Sequence, residues 1–152
     1  MSTEFKEFQQ KYPNLFRTYP RSGFSVEPGW EGLVHHLCNV LENHIEGLPQ
    51  EIRPDVTCAQ VKEKFGGLRF YMTQETPYIS GAISLAEDLS CCICCQCGNP
   101  GKLRQGSWTL TLCDTHSAEQ DKYNDELQKK WAESEKAKAK ALAEAEAVRE
   151  IK

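Results

Sequence analysis

Cys94, Cys97, Cys113 and His116 constrain this chain more than any other residues, because their spacing is that of a four-ligand zinc site. Cys94 and Cys97 form a C-x2-C pair followed at once by Gly98, and Cys113 and His116 form a C-x2-H pair. Zinc takes a tetrahedron of thiolate and imidazole, and two intervening residues let one tight turn aim both members of a pair at a single ion. Gly98 can supply the left-handed backbone that such a turn often needs. Cys91/Cys94 and Cys92/Cys95 also satisfy C-x2-C. The pair Cys94/Cys97 is preferred because Cys97 alone is followed by glycine. Four strong ligands leave no coordination position for water, so the spacing predicts one structural Zn2+ and not a catalytic one.

Between the two pairs, Leu103 to Leu112 read as a short hairpin bending at Gly106-Ser107, and the helix-compatible run Ser117 to Asp121 follows His116. Knuckle, hairpin, then ligands at a helix start is the order of a treble-clef or zinc-ribbon finger. A length of 152 residues allows one modest domain, or one domain with an appendage. Eight cysteines behind a start (Met1-Ser2-Thr3-Glu4-Phe5-Lys6) that does not resemble a secretory signal point to metal ligation in a reducing cytoplasm. Cys38 and Cys58 stand in apolar contexts and read as small buried hydrophobes. No apolar stretch is long enough to span a bilayer.

Apolar periodicity organises the rest. Glu4 to Lys11 predicts a short helix capped by Ser2 or Thr3, and the proline- and aromatic-rich stretch from Tyr12 to Pro28 reads as an ordered loop draped on a core. Pro28 suits the first turn of a second helix, in which Trp30, Leu33, Val34, Leu37, Leu41, His44, Ile45 and Leu48 recur at helical intervals until Gly47 and Pro49 close it. Asp55 to Tyr71 changes period: Val56, Cys58, Gln60 and Lys62 alternate with Thr57, Ala59 and Val61. Two strands joined around Gly66-Gly67 follow from this, with Phe65, Leu68 and Phe70 or Tyr71 supplying core. Pro77 to Ser90 returns to a helical pattern and delivers the chain to the knuckle. The expected fold is α+β: a helix–hairpin–helix core over 1–90, an integrated finger over 91–120 and a helical extension over 121–152. In that extension Tyr123, Leu127 and Trp131 form an apolar stripe, weakly continued by Leu142, Ala145 and Val148. The plain reading of the extension is a protruding helix whose first turns dock on the finger. A coiled coil, and with it a homo-oligomer, is the alternative.

Chemistry outside the knuckle is sparse. His35 and His36 are adjacent and so diverge by about 100° on a helix. His44 lies on the apolar stripe as a packed core residue, and no H-E-x-x-H, P-loop, dinucleotide fingerprint or G-x-S-x-G occurs. The formal net charge of −4 argues against general polyanion binding. A local basic strip of Lys62, Lys64, Arg69, Lys102 and Arg104 nevertheless keeps a nucleic-acid-binding finger open. Around Phe65, Gly66 and Gly67 the same strip could hold an anion on backbone N–H groups or stack a base. Cys91, Cys92 and Cys95 read as packed thiols, with redox activity the alternative.

Val61-Lys62-Glu63-Lys64-Phe65-Gly66-Gly67-Leu68-Arg69-Phe70-Tyr71, then Cys94-x2-Cys97-Gly98-Asn99-Pro100-Gly101 and Trp108-x-Leu-Thr-Leu-Cys113-Asp114-x-His116, resemble a set of uncharacterised small bacteriophage and prophage proteins. The upstream Tyr12-Pro13-Asn14-Leu15-Phe16 and Gly29-Trp30 are also similar, so the resemblance covers roughly residues 5–116. It implies a bacterial cytoplasmic setting and zinc on the four ligands named, and it implies no activity. The expected function is non-enzymatic: binding, and by analogy of class blocking, a host or phage macromolecule. A protein stands ahead of nucleic acid, and a nuclease or hydrolase comes last. The expected contact residues are Lys62, Lys64, Phe65, Gly66, Gly67 and Arg69 on the hairpin and Tyr123, Leu127 and Trp131 on the tail.

Overall fold

Helix α1 (Thr3–Lys11) presents Phe5 and Phe8 to an aromatic cluster built with Phe16 and Phe24. The rings meet edge-on, as quadrupoles prefer: Phe5 and Phe16 have centroids 5.7 Å apart at 88°, and Phe16 and Phe24 5.4 Å apart at 88°. The computed structural model describes residues 3–106 and 108–150, with side chains for 5–106 and 108–141. Ser2 and Ser107, and the side chains of Thr3, Leu142, Ala145 and Val148, lie outside what is described, so the cap by Ser2 or Thr3, the Gly106-Ser107 bend and the far end of the tail stripe do too.

The Tyr12 to Pro28 segment is the ordered cover that its aromatics suggest. It runs beside the first strand through a parallel bridge of Phe24 to Val61, where Ser25 N–H donates to Val61 O (3.0 Å) and Val61 N–H to Gly23 O (3.1 Å). Its start is pinned by Glu42, a buried carboxylate that accepts from Asn14 N–H (2.9 Å), Asn14 Nδ2 (2.8 Å) and Leu15 N–H (2.8 Å). Three donors on one anion satisfy a charge that would otherwise be costly to bury.

Pro28 opens a separate 3-10 turn, Pro28–Trp30, and not the first turn of helix α2 (Glu31–Glu46). Packing explains the difference, because this turn is bonded to the knuckle. Gly29 N–H donates to Cys95 O (2.7 Å), and the indole N–H of the fully buried Trp30 to Ile93 O (2.9 Å). Along α2, Val34, Leu37, Leu41 and Ile45 are buried as the periodicity requires. Helix α3 (Pro77–Ser90) starts where predicted, with Thr76 Oγ1 accepting from Ile79 N–H as its cap.

Strands β1 (Cys58–Lys64) and β2 (Gly67–Met72) pair antiparallel, but with two departures from simple alternation. A bulge at Ala59 lets Cys58 pair with Met72 and Gln60 with Tyr71, so Cys58 and Val61, three residues apart, both face the core. Gly67 already pairs with Lys64, so the two-residue turn is Phe65-Gly66 and not Gly66-Gly67. Both turn residues have positive φ (54° and 81°), as a type I′ turn demands. Phe65 is consequently thrown into solvent, 72% exposed, and is not core; Tyr71 is also exposed, leaving Leu68 and Phe70 as the core pair. The outer edge of β2 is closed by side chains of α3: Ser90 Oγ accepts from Leu68 N–H (2.8 Å) and Glu87 Oε1 from Phe70 N–H (3.0 Å).

A phenylalanine in the left-handed region costs stability that Asn, the residue this turn type favours, does not. Phe65→Asn is therefore expected to leave the fold intact and raise stability by about 0.5–1 kcal/mol. Denaturant titration, read as a midpoint shift at constant slope, checks this.

In the finger, β3 (Lys102–Arg104) and β4 (Leu110–Leu112) form a second, two-stranded antiparallel sheet. Cys95 N–H donates to Thr111 O (2.9 Å) and Thr111 Oγ1 to Gly66 O (2.6 Å), and Cys94, Cys95 and Leu112 belong to the same hydrophobic cluster as Trp30 and Phe70. The compact unit that ends at Asp114 thus contains both the helix–hairpin–helix and the finger strands. A second unit begins at Thr115 and is made by helix α4 (Asp114–Glu150), on which Tyr123, Leu127 and Trp131 are exposed. The fold is α+β, and among the described residues no helix is long and apolar enough to cross a membrane.

Candidate metal centre

The knuckle is shaped by backbone contacts before any ion is considered. Cys94 N–H donates to Asn99 O (2.8 Å), Gly98 N–H to Cys94 O (2.9 Å) and Gly101 N–H to Cys92 O (2.8 Å), closing the loop between the first two ligands. Gly98 has φ 77°, the left-handed conformation inferred for it. Gly101 lies where a Cβ would stand 2.7 Å from Cys94 N, so a side chain there would push Cys94 out of place. Arg104 donates to Asp114 and, through Nε, to Leu112 O (3.4 Å), tying β3 to the segment that carries Cys113.

Cys94, Cys97, Cys113 and His116 converge: each offers one ligand atom, and all four atoms lie within 4.8 Å of one another. Cys97 Sγ and Cys113 Sγ are 3.9 Å apart, against about 3.8 Å for the edge of a tetrahedron with 2.3 Å metal–sulfur bonds. Among the described residues this is the one cluster of three or more metal-ligating groups, and its composition and size fit a bound metal ion. The electrostatics also favour a cation. Burial alone would push the Cys94 thiol up, but hydrogen bonds from the backbone at Cys113, Gln96 and Cys97 outweigh it and bring it to about 6. For Cys97, a backbone bond from Asn99 favours the thiolate, yet desolvation and the neighbouring Cys94 and Cys113 sulfurs together leave its thiol raised. A divalent cation would relieve that crowding of thiols.

The other cysteines separate cleanly from the cluster. Cys95, the alternative partner of Cys92, is buried in the core, and burial chiefly pushes its thiol up to about 12. Cys91 and Cys92 are exposed and stand outside the four-residue set. Cys38 and Cys58 are fully buried, as their apolar contexts suggest, and burial raises both thiols.

Two of the three histidines of α2, His35 and His44, are partly buried and packed, whereas His36 is exposed. His35 stacks on Phe8 (4.1 Å, 5°) and bonds Tyr12 Oη through Nδ1 (3.0 Å), with desolvation lowering its pKa. His44 bonds Thr76 Oγ1 (3.0 Å) and stacks on Tyr78.

Of the basic and turn residues singled out on the hairpin, several are spent internally. Gly66 and Gly67 are buried; Gly66 N–H donates to Glu63 Oε1 (2.5 Å) and is not available to an anion. Arg69 donates to Leu68 O (2.6 Å) and faces Glu87 (3.6 Å), and Arg104 is held by Asp114. Lys62, Lys64 and Phe65 remain at the surface. One feature gave no warning in the sequence: an open apolar groove of about 530 Å³ between α2 and α3, lined by Leu33, Leu37, Val40, Tyr78, Leu85 and Leu89 among others. Leu85 is 62% and Tyr78 54% exposed there.

Comparison of this chain with protein-family models, with curated proteins and with solved structures found no match.

Proposed function

We propose that this chain is a non-enzymatic, zinc-stabilised binding module of the bacterial cytoplasm, phage-encoded by its resemblance, that docks on a host protein and blocks it. The groove between α2 and α3 carries this reading. Contiguous apolar surface left open to water marks an interaction site, and a trough between two helices suits the apolar face of a third. Gly81 strengthens it. This residue lies inside α3 at the groove, a position where glycine costs about 1 kcal/mol relative to alanine, yet a Cβ built on it meets nothing within 4 Å. Among the described residues no packing requires glycine there, whereas close approach of a partner helix would.

Three thiolates and one imidazole are the donor set of structural zinc. With four protein ligands, the ion would brace the knuckle of a treble-clef-like finger and offer no position to substrate. The stripe of Tyr123, Leu127 and Trp131 on α4 is a second docking element, for the same partner or for another copy of this chain.

Leu85→Glu tests the assignment, because Leu85 is exposed and glutamate sustains a helix. Tagged wild-type protein is expected to capture one stoichiometric protein from nuclease-treated bacterial lysate. The variant, with unchanged melting temperature, is expected to lose it. Capture that survives Leu85→Glu, or that disappears with nuclease, would refute docking at the groove.

A further inference from the structure

The turn between β1 and β2 carries a combination that folding does not explain. Phe65 is held at φ 54°, a conformation that a bulky L-residue reaches only at a cost, and its ring is 72% exposed and adds nothing to the core. Strain retained around an exposed aromatic side chain is a pointer to a binding site. Trp108, 71% exposed and arriving from the segment before β4, lines the same cleft of about 400 Å³, together with Lys64, Thr109 and Glu63. The two hairpins that carry the rings are tied together at the turn: Thr111 Oγ1 donates to Gly66 O, and the Leu103 side chain packs on Gly66.

Cations alternate with these rings. Lys64 Nζ lies 5.2 Å from the Phe65 ring centroid and Lys62 Nζ 5.8 Å from that of Tyr71. Lys62 and Lys64 are two residues apart on one strand, so they share a face with their Cα atoms about 6.7 Å apart, comparable to successive phosphates of an extended strand. The acid in the cleft, Glu63, is already occupied by Gly66 N–H.

The geometry points to a binding surface for a short stretch of single-stranded polynucleotide. Bases would stack on Phe65, Trp108 and Tyr71, and Lys62 and Lys64 would hold the phosphates between them. Aromatic faces alternating with lysines match the alternation of base and phosphate, and sequence preference is weak because every base has a stacking face. The patch offers three rings and two lysines, so the footprint is a few nucleotides. This surface is separate from the α2–α3 groove and stands or falls independently of it.

The test is fluorescence anisotropy of the zinc-loaded full chain with labelled oligo-dT and oligo-U, which separate DNA from RNA, and with a duplex control. Saturable binding to a single strand in preference to duplex is expected. Phe65→Asn and Trp108→Ala should each weaken it by about tenfold, with zinc content retained and the melting temperature not lowered. The double variant Lys62→Gln/Lys64→Gln should reduce the salt-dependence slope by about 1.4. Absence of saturable binding to either single strand at low salt overturns the proposal. So does a preference for duplex, or binding that Phe65→Asn and Trp108→Ala leave unchanged; aromatic exposure would then serve protein contact.

Discussion

Cys97→Ser and His116→Ala are each expected to lose the bound metal and lower stability by about 4 kcal/mol or more, on the order of 15 °C in melting temperature. The effect is large because the knuckle is part of the core. Cys94 and Cys95 lie in the same buried cluster as Trp30, Leu68 and Phe70, so a loosened knuckle exposes more than itself. Cys92→Ser is the matched control: Cys92 is exposed and outside the ligand set, and its replacement should change neither metal content nor melting temperature. Thermal unfolding with parallel metal analysis separates the three variants. Chelator should lower the wild-type melting temperature to that of Cys97→Ser and leave the Cys97→Ser value unmoved.

Gly29→Ala should be nearly as damaging without touching a ligand. A Cβ at Gly29 would overlap Cys94 O and stand 2.5 Å from Gly98 N and 2.7 Å from Cys95 C, all backbone atoms of the knuckle that have nowhere to go. The expected cost is about 3 kcal/mol or more, with weaker metal retention because the loop carrying Cys94 and Cys97 must shift. Gly32→Ala supplies the contrast. Gly32 lies in the first turn of α2 with open space around it, and alanine there should stabilise by up to about 1 kcal/mol. If both substitutions prove equally mild, the 3-10 turn does not press on the knuckle as described.

The Cys94, Cys97, Cys113 and His116 cluster was legible in the sequence because its signal is local: two short pairs, with a glycine of positive φ directly after the first. Helices α2 and α3 were legible for a similar reason, since a one-sided apolar period survives in any context. The turn of the first hairpin was not. Gly66-Gly67 looks like the turn by composition, but the Lys64–Gly67 pairing places it at Phe65-Gly66, where the positive φ of Phe65 turns its ring outward. Glu42 as an anchor for Asn14 and Leu15, and Gly29 as a seat for the knuckle, depend on partners far away in the chain, where spacing carries no information. The α2–α3 groove was hidden for another reason. Val40, Leu85 and Leu89 fit a helical apolar pattern whether or not anything covers them, and only the fold shows that the described residues leave them exposed.

Cobalt substitution tests the central claim, the four-ligand zinc site, most directly. Metal-free protein titrated with Co2+ should saturate at one equivalent and show the intense visible d–d absorption of a tetrahedral, thiolate-rich site together with sulfur-to-cobalt charge transfer. Zn2+ should then displace the cobalt stoichiometrically. A weak octahedral spectrum, no saturation at one equivalent, or a spectrum unchanged in Cys97→Ser would contradict the assignment of Cys94, Cys97, Cys113 and His116 as a closed tetrahedral site.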